Sequence, residues 1–254
     1  MKLYLHQFLG RCGVFPSKKA VLDAVRSGLI KVDGKIVRNP KFQVKAGKAR
    51  VFWSEREVKP PEGHIYILLN KPAGYLSSRL SSSDINLGKK SVFQILERDL
   101  DQKTLNSLFC VGRLDEQTSG LLLLTNDGKL CSRITNPRHG IEKTYEAVLD
   151  APLSREALSK LESGVEILLE ENGRKKRYKT KGCKITECKP DFKTVHVTLS
   201  EGKKREVRRM FESLGLKVLR LARIAIGKIS LEGSKLKEGC YTLLDRDFIQ
   251  RRLT

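Results

Sequence analysis

Two adjacent prolines divide the chain into two parts of different character. Pro60 and Pro61 stiffen the backbone and remove two hydrogen-bond donors, and Gly63 then releases it. Residues 1–59 carry 14 lysines and arginines against four acidic residues, whereas the rest of the chain shows short apolar runs separated by turns. The sequence therefore predicts a small basic domain over residues 1–59, a linker over residues 60–63 and a larger domain over residues 64–254.

The net charge indicates the kind of partner. The 254 residues include 50 Lys and Arg against 29 Asp and Glu, a formal charge of +21. Such an excess repels itself in a compact fold, and its simplest use is attraction to a polyanion. Nucleic acid is the partner that the charge favours, with an anionic membrane surface as the alternative. A hydrophobic fraction of 39% is sufficient for a packed core and argues against disorder.

Several features indicate the compartment. No apolar run approaches the ~20 residues that a membrane helix needs, and the N-terminus lacks the apolar region of a signal peptide. The six cysteines are scattered, which suits a reducing compartment. Only Cys183 and Cys188 are close, and tetrahedral zinc requires four ligands. We expect a cytoplasmic, monomeric protein without a membrane attachment or a metal site.

Two short helices and a hairpin are predicted in the basic domain. The first helix is expected to end at Gly10, and Ser17 offers an N-cap oxygen for a second helix that ends at Gly28. An Asp33-Gly34 dipeptide between two apolar runs then predicts a hairpin, because a type I′ turn needs positive φ at both positions. The inward-facing helical residues are predicted to be Leu3, Leu5, Phe8, Leu9, Val21, Leu22 and Val25.

The stretch SKKAVLDAVRSGLIKVDGKIV, residues 17–37, resembles the αL RNA-binding module. A small-subunit ribosomal protein, bacterial tyrosyl-tRNA synthetases and many RNA-modifying enzymes share this module. The resemblance implies that basic residues at the start of the second helix and around the hairpin bind the RNA backbone; a solvated basic face is the alternative. The family commonly has two arginines after the serine and an Asn-Gly turn, and the Lys-Lys and Asp-Gly found here keep the charge and the turn geometry. The corresponding residues are Lys18, Lys19, Lys31 and Lys35.

The larger domain reads as α+β. Strands are predicted over residues 65–69, 109–111, 121–125, 144–149, 194–200 and 218–226, and helices over residues 91–98 and 154–163. Because strands and helices do not alternate regularly, we expect a mixed, largely antiparallel sheet. Residues 77–90 contain five serines and show no periodicity, which predicts a mobile loop that either orders on RNA or is an idle surface loop.

One segment suggests chemistry. An apolar strand ends at Val111, a polar loop carries Arg113 and Asp115, and four leucines then lead into an Asn-Asp-Gly turn. A carboxylate on a loop between two buried strands is held by a rigid frame and stays open to a ligand, which suits a nucleophile. From the residues alone, however, a turn-forming or ion-pairing role for Asp115 is favoured over catalysis.

The segment VGRLDEQTSGLLLLTNDG, residues 111–128, resembles the GRLDxxTSGLLLLTNDG signature of the RsuA family of ribosomal RNA pseudouridine synthases. Further family features follow the order of the chain: ILLNKPAG (67–74), KTYEAVL (143–149), EGKKREVRRM (201–210) and LRLARIAIG (219–227). With the αL module, the resemblance covers nearly the whole chain. It implies that a uridine in ribosomal RNA, or in a pre-ribosomal particle, is isomerised to pseudouridine without a cofactor.

The resemblance carries three roles over to this sequence. Asp115 corresponds to the catalytic aspartate, which acts either as a nucleophile or as a base at the ribose. Tyr145 corresponds to the tyrosine that packs on the target base, although strand alternation equally allows it to be a core residue. Arg208 corresponds to the basic residue that pairs with the aspartate.

Helical periodicity supports the position of Arg208. Val207, Met210, Phe211 and Leu214 form one apolar stripe, which Arg208 and Arg209 flank. The run at residues 174–177 is either a further phosphate contact or a solvated loop. The REVRR motif at residues 205–209 is more similar to that of family members that act on large-subunit RNA. The remaining predicted RNA-binding residues are Arg113, Lys203, Lys204, Arg205 and Arg209.

Two other functions were compared with this one. A non-catalytic RNA-binding or ribosome-assembly factor would account for the charge but leaves the intact Asp115 signature without a purpose. A methyltransferase that uses the same RNA-binding module needs a Gly-rich cofactor loop after a strand, and the sequence contains none.

Overall fold

The computed structural model describes residues 2–171, 173–188 and 192–253, without the side chains of residues 171 and 186–188. Two helices pack on a small sheet in the N-terminal domain, where the strand order is β3-β2-β5-β6 and β1 pairs separately with β4. Its elements are β1 (Lys2–Tyr4), α1 (Leu5–Cys12), α2 (Lys18–Arg26), β2 (Ile30–Val32), β3 (Lys35–Ile36), β4 (Gln43–Lys45), β5 (Val51–Trp53) and β6 (Arg56–Glu57).

Local signals determine most of this domain. The Ser17 hydroxyl accepts a hydrogen bond from the Ala20 amide at 3.1 Å, so the predicted N-cap of α2 is confirmed. Asp33 and Gly34 have φ of 49° and 83°, as the predicted type I′ turn between β2 and β3 requires. The expectation that α1 ends at Gly10 is wrong: the helix continues to Cys12, and Gly13 caps it with a φ of 68°.

The predicted inward faces of the two helices are largely correct. Leu5, Phe8, Leu9, Val21 and Val25 are buried in the N-terminal core. Leu3 is also buried there but lies on β1, before the helix begins. Leu22 is only half-buried, and Ala24 takes its place in the core, because the buried face of α2 is rotated by one position.

No helix or strand occupies residues 58–65, the segment that contains the two prolines. We propose the domain boundary in this segment. The domains nevertheless touch, since α1 packs against a helix of the C-terminal domain. A Cβ added to Gly13 would collide with the carbonyl oxygen of Lys103, so only glycine allows this close approach.

The C-terminal domain is built on one long sheet. Its order is β15-β16-β12-β17-β11-β7-β19, and β10 and β18 add to β11 and β17. Only the β11–β17 pair is parallel within this sheet, so the predicted mixed, largely antiparallel α+β fold is confirmed. The strands of the domain are β7 (Tyr66–Lys71), β8 (Tyr75–Leu76), β9 (Lys90–Ser91), β10 (Phe109–Cys110), β11 (Thr118–Thr125), β12 (Lys143–Leu149), β13 (Glu166–Glu171), β14 (Arg174–Lys179), β15 (Lys184–Cys188), β16 (Thr194–Leu199), β17 (Val218–Ile226), β18 (Ile229–Ser230) and β19 (Tyr241–Leu243).

Helices cover the sheet and close three apolar clusters. The four leucines of β11 alternate between two of these clusters, with Leu121 and Leu123 in one and Leu122 and Leu124 in the other. The third cluster holds the predicted stripe of the REVRR helix, including Val207, Met210 and Phe211. The helices are α3 (Ser82–Asn86), α4 (Val92–Leu96), α5 (Gln102–Ser107), α6 (Gly128–Thr135), α7 (Arg155–Ser163), α8 (Glu206–Glu212), α9 (Leu231–Ser234) and α10 (Arg246–Arg252).

Three expectations for this domain are wrong in detail. Residues 77–90 are not without structure, because they hold α3 with its Ser81 cap and end in β9, which pairs with β8. The Asn-Asp-Gly turn is instead the start of α6, whose first amides are capped by Asp127. The basic run at residues 174–177 lies on β14, paired with β13, rather than in a loop.

Two further findings concern the compartment predictions. Among the helices that the structure describes, none is both long and apolar enough to cross a membrane. Cys183 is buried in the core beneath α8, while the side chain of Cys188 lies outside the described residues.

Candidate active site

The loop that carries Asp115 is fixed on both sides by hydrogen bonds to its backbone. The Ser77 hydroxyl donates to the Leu114 carbonyl at 2.9 Å and accepts from the Leu114 amide at 3.1 Å. The Thr118 amide donates to the Asp115 carbonyl at 3.0 Å, and the Gly74 amide donates to the Glu116 carbonyl at 2.8 Å. The half-buried carboxylate of Asp115 is therefore presented from a rigid loop.

A fully buried lysine lies beneath this loop. The Lys71 ammonium donates to the carbonyls of Pro72, Glu116 and Thr118 at 2.9, 3.1 and 2.7 Å. Burial lowers the pKa of Lys71 to about 8, and the negative charges of Asp115 and Glu116 act against that shift. Lys71 is not among the predicted site residues, although the ILLNKPAG motif contains it.

Asp115 opens into a cavity of about 730 Å³ between the sheet and the start of α8. Basic side chains surround it: Lys89 and Arg113 from one side, and residues 203–205 from the other. Lys89 forms an ion pair with Glu116 at 3.1 Å, so this second carboxylate is neutralised within the cavity. Among the described residues, Asp115 forms no such ion pair, and the cations that line the cavity outnumber its carboxyl groups, which suits an anionic substrate.

Tyr145 lies on the same cavity. It is half-buried on β12, between Val197 of β16 and Arg223 of β17, and its ring packs against two of the apolar clusters. The interpretation of Tyr145 as a core residue therefore holds in part, and the residue also lines the cavity. Its contact with a target base stays a prediction.

Arg208 approaches the site from α8 without touching Asp115. Its guanidinium donates to the carbonyls of Val218 at 2.7 Å and Gln117 at 3.1 Å. Among the described residues it forms no ion pair with Asp115, although the Asp115 charge acts on it. Burial and the charge of Arg205 lower the pKa of Arg208, and Asp115 opposes that change. Arg208 therefore contacts the Asp115 loop at the Gln117 carbonyl, two residues after the aspartate, rather than at the carboxylate.

The predicted RNA-binding residues of the C-terminal domain divide into two groups. Lys203, Lys204, Arg205 and Arg113 are exposed and line the cavity. Arg209 lies outside it, half-buried, with a hydrogen bond to the Lys204 carbonyl at 3.0 Å.

The predicted RNA-binding residues of the N-terminal domain are also on the surface. Lys18 and Lys19 are exposed in the first turn of α2, and Lys35 is exposed on β3. Lys31 forms an ion pair with Glu55 at 2.9 Å, which reduces the charge it can offer to RNA.

A second cleft lies between the two domains and adjoins the Asp115 cavity. It measures about 660 Å³ and lies between α1 and the start of α2 on one side and the C-terminal domain on the other. Arg11, Lys18 and Arg79 contribute cations to its wall, and none of the carboxylates that the structure describes lines it. The residues common to the cleft and the cavity are Ser77, Ser78, Gly112 and Arg113.

The basic run on β14, residues 174–177, lies opposite both acidic and apolar residues. Its strand pairs with acidic and apolar residues of β13, and Arg177 lies 3.9 Å from Glu166. Part of its charge is therefore neutralised across the hairpin, and none of its four cations lines the cavity or the cleft.

The site combines a rigid loop with an aspartate, a tyrosine and a cationic cavity on one sheet, which indicates an RNA-modifying enzyme. Similarity to known proteins agrees with this class. The family model for RNA pseudouridylate synthase matches residues 65–213, and the model for the S4 domain matches residues 5–49. The chain belongs to the RNA pseudouridine synthase family and carries an N-terminal S4 domain, the αL module that the sequence predicted.

Individual relatives agree with this assignment. The ribosomal large subunit pseudouridine synthase B of Bacillus subtilis is 32% identical over 90% of this chain and 87% of its own. The ribosomal small subunit pseudouridine synthase A of Vibrio parahaemolyticus is 33% identical over 91% of each chain. A crystal structure of a pseudouridylate synthase superposes with a TM-score of 0.66 at 31% identity, covering 99% of this chain and 100% of that one.

Proposed function

We propose that this enzyme isomerises a uridine of ribosomal RNA to pseudouridine, with Asp115 as the catalytic carboxylate. The observation that carries the proposal is the cavity itself. Asp115, Tyr145 and the basic residues 203–205 line one space, and Asp115 reaches it from a loop held by backbone hydrogen bonds. Relatives that are named for ribosomal RNA modification support the choice of substrate.

The reaction makes specific demands on these residues. The base must leave its stack, at a cost of a few kcal/mol, and rest against an aromatic ring, for which Tyr145 is placed. The N1–C1′ bond then breaks, the base rotates, and a C5–C1′ bond forms. The hydrogen at C5 leaves to solvent and N1 gains one, so substrate and product have the same composition.

Asp115 would serve either as a nucleophile at C1′ or as a base at the ribose. Both roles need an ionised carboxylate beside the sugar. Lys71 and Arg208 supply the positive charge that acts on it, and both are held by carbonyls of its own loop. Tyr145 positions the base, and the basic residues bind the flanking phosphates.

The RNA would extend from the cavity into the cleft at the S4 domain. The two spaces share part of their wall, and the cleft is lined by cations and by none of the described carboxylates. Contacts to Lys18 and Lys19 would then fix the RNA outside the site of reaction. We also retain the predictions of a monomer acting in the cytoplasm, which size-exclusion chromatography with light scattering and cell fractionation test.

The named relatives include enzymes for both subunits, and the choice of large-subunit RNA as the substrate rests on the REVRR segment alone. Transcripts of each ribosomal RNA labelled with tritium at C5 of uridine provide the test. We expect tritium release from the large-subunit transcript, followed by mapping of the new pseudouridine. Release from the small-subunit transcript alone would contradict the choice of subunit, and release from neither would contradict ribosomal RNA as the substrate.

A further inference from the structure

The basic segment, residues 202–205, connects β16 to α8 along the wall of the catalytic cavity. Its residues are exposed, and three of them are cations. Arg205 has a φ of 54°, the left-handed region that a residue with a side chain rarely adopts. Such a conformation persists only where surrounding contacts impose it, so the contacts of this segment require an explanation.

Two buried glutamates flank the basic segment. Glu201 and Glu206 are each only 4% exposed. Glu201 accepts hydrogen bonds from the Tyr178 hydroxyl at 2.7 Å and from the Lys181 amide at 2.8 Å, one on each oxygen. Glu206 Oε2 accepts from the Lys203 amide at 2.7 Å, which closes the turn of the segment.

The two carboxyl groups also contact each other. Glu206 Oε1 is buried, and no donor among the described residues reaches it. Two carboxylates in a buried contact repel strongly, so the pair is stable only when one carboxyl keeps its proton. The two donors on Glu201 stabilise its ionised form, and the proton therefore belongs on Glu206.

The charges around the pair agree with this assignment. Burial and the neighbouring Glu201 charge raise the pKa of Glu206 to about 8, while the Lys203 charge acts in the opposite direction. Lys143 of β12 faces Glu206 from the sheet, and burial together with Arg223 lowers the pKa of Lys143. Tyr178 and Cys183 also face the pair, and their own pKa values are raised.

We propose that Glu206 is a positioning residue: as a neutral carboxylic acid it donates its proton to Glu201, and the pair holds the basic segment in place against the catalytic cavity. The inference rests on the proposed function, because the segment matters only if RNA occupies that cavity. Loss of the proton, as the pH rises through about 8, places two negative charges in contact. The turn at Lys203 then loosens, and its cations leave the positions from which they bind phosphate.

Glu206→Gln and Glu206→Leu test the proposal. Glutamine has the same length, its amide N–H can replace the acidic proton, and its oxygen can still accept from the Lys203 amide. Leucine is similar in size and also neutral but can do neither. Glu162→Gln, at an exposed position on α7, is the control for the loss of one negative charge.

We expect the wild type to show an alkaline loss of RNA affinity, seen as a rising Kd for the RNA in a direct binding titration, with little change in kcat for tritium release. Glu206→Gln should keep wild-type RNA affinity at neutral pH, and this affinity should not fall as the pH rises through about 8. Glu206→Leu should bind about tenfold more weakly at every pH, the size of effect expected from hydrogen bonds lost between buried groups. Glu162→Gln should behave as the wild type.

Three results would overturn the proposal. If Glu206→Gln still loses RNA affinity at alkaline pH, another group causes that loss. Lys71 is then the first candidate, because its pKa is also about 8. If Glu206→Leu equals Glu206→Gln, the hydrogen bonds position nothing. Carbon-13 NMR of protein labelled at the glutamate carboxyl groups gives the third result. The proposal requires a carboxyl signal that titrates near pH 8 in the wild type and is missing from Glu206→Gln. If the wild type shows no such signal, the shared proton is refuted.

RNA affinity and the NMR titration do not depend on turnover. A wild type that releases no tritium would therefore contradict the proposed function alone, and the titration would still decide the protonation of Glu206. Should Glu206→Leu fail to fold, Glu206→Gln and the titration still give a decisive answer.

Discussion

Three consecutive carbonyls after Asp115 are held by two buried cations. Lys71 binds the carbonyls of Glu116 and Thr118, and Arg208 binds that of Gln117 between them. Each cation thereby fixes the backbone of the Asp115 loop and brings positive charge towards its carboxylate. The same contacts therefore set the position of the loop and the positive charge near Asp115. For this reason, Lys71 is not readily replaced by arginine, and Arg208 is not readily replaced by lysine.

Arg208→Lys is predicted to be nearly as harmful as Arg208→Met. The planar guanidinium bridges Gln117 and Val218, and an ammonium on a flexible stem cannot reproduce that fork. Each buried carbonyl left without its donor costs about 1–3 kcal/mol, so both variants should lower the melting temperature together with kcat. Arg209→Met on the same helix is the control and should change KM rather than stability. A lysine variant with nearly full kcat and an unchanged melting temperature would show that charge alone suffices.

Single residues of the site differ in how far the sequence could predict them. Asp115 and Tyr145 were predicted through the family motifs, and both line the cavity. The direct pair of Arg208 with Asp115 was not found, because the reach of an arginine side chain allows several partners that only packing decides. Lys71 was missed as a site residue although the ILLNKPAG motif contains it, and Glu206 was missed because the burial of its carboxyl group depends on tertiary packing.

At the scale of elements, local signals predicted the structure well where they were strong. The Ser17 cap, the Asp33-Gly34 turn and the apolar stripe of α8 are examples. Helix ends were less predictable: Gly10 has no φ that requires glycine, whereas Gly13 does, and the letters of the sequence do not distinguish them. The hairpin of β13 and β14 escaped prediction because charges on its outer face conceal the buried residues Ile167 and Leu169.

Helix α1 offers a direct test of the cleft between the domains. Gly10 lines this cleft, and a Cβ added there would meet no other atom within 4 Å. Gly10→Phe should therefore fold normally, gain helix propensity and fill the cleft. We expect a several-fold rise in KM for the RNA with kcat almost unchanged.

Ser159→Phe on α7 is the matched control, since it adds an exposed aromatic ring at a helical position outside both the cleft and the cavity. It should bind RNA as the wild type does. Equal KM values for Gly10→Phe and the wild type would show that RNA does not enter the cleft.

The whole molecule combines an extended cationic surface with one rigid site. The charge of +21 and the proline-rich linker were sufficient to predict two domains and a polyanionic partner. How the domains meet could not be predicted, because the contact depends on Gly13 lying against Lys103, residues 90 positions apart. The cleft between the domains shares part of its wall with the Asp115 cavity, so the S4 domain and that cavity border one continuous surface.

The central claim is that the carboxylate of Asp115, and not merely a charged RNA-binding surface, performs the isomerisation. Tritium release and RNA affinity, measured side by side for Asp115→Asn and Glu116→Gln, test it most directly. The amide is nearly isosteric but is neither nucleophile nor base, so Asp115→Asn should lose at least about a hundredfold in rate while the Kd changes little. Glu116→Gln removes the neighbouring carboxylate of the same cavity and should keep most of the activity. Residual turnover of Asp115→Asn well above about one hundredth of wild type, or a larger loss in Glu116→Gln, would contradict the account.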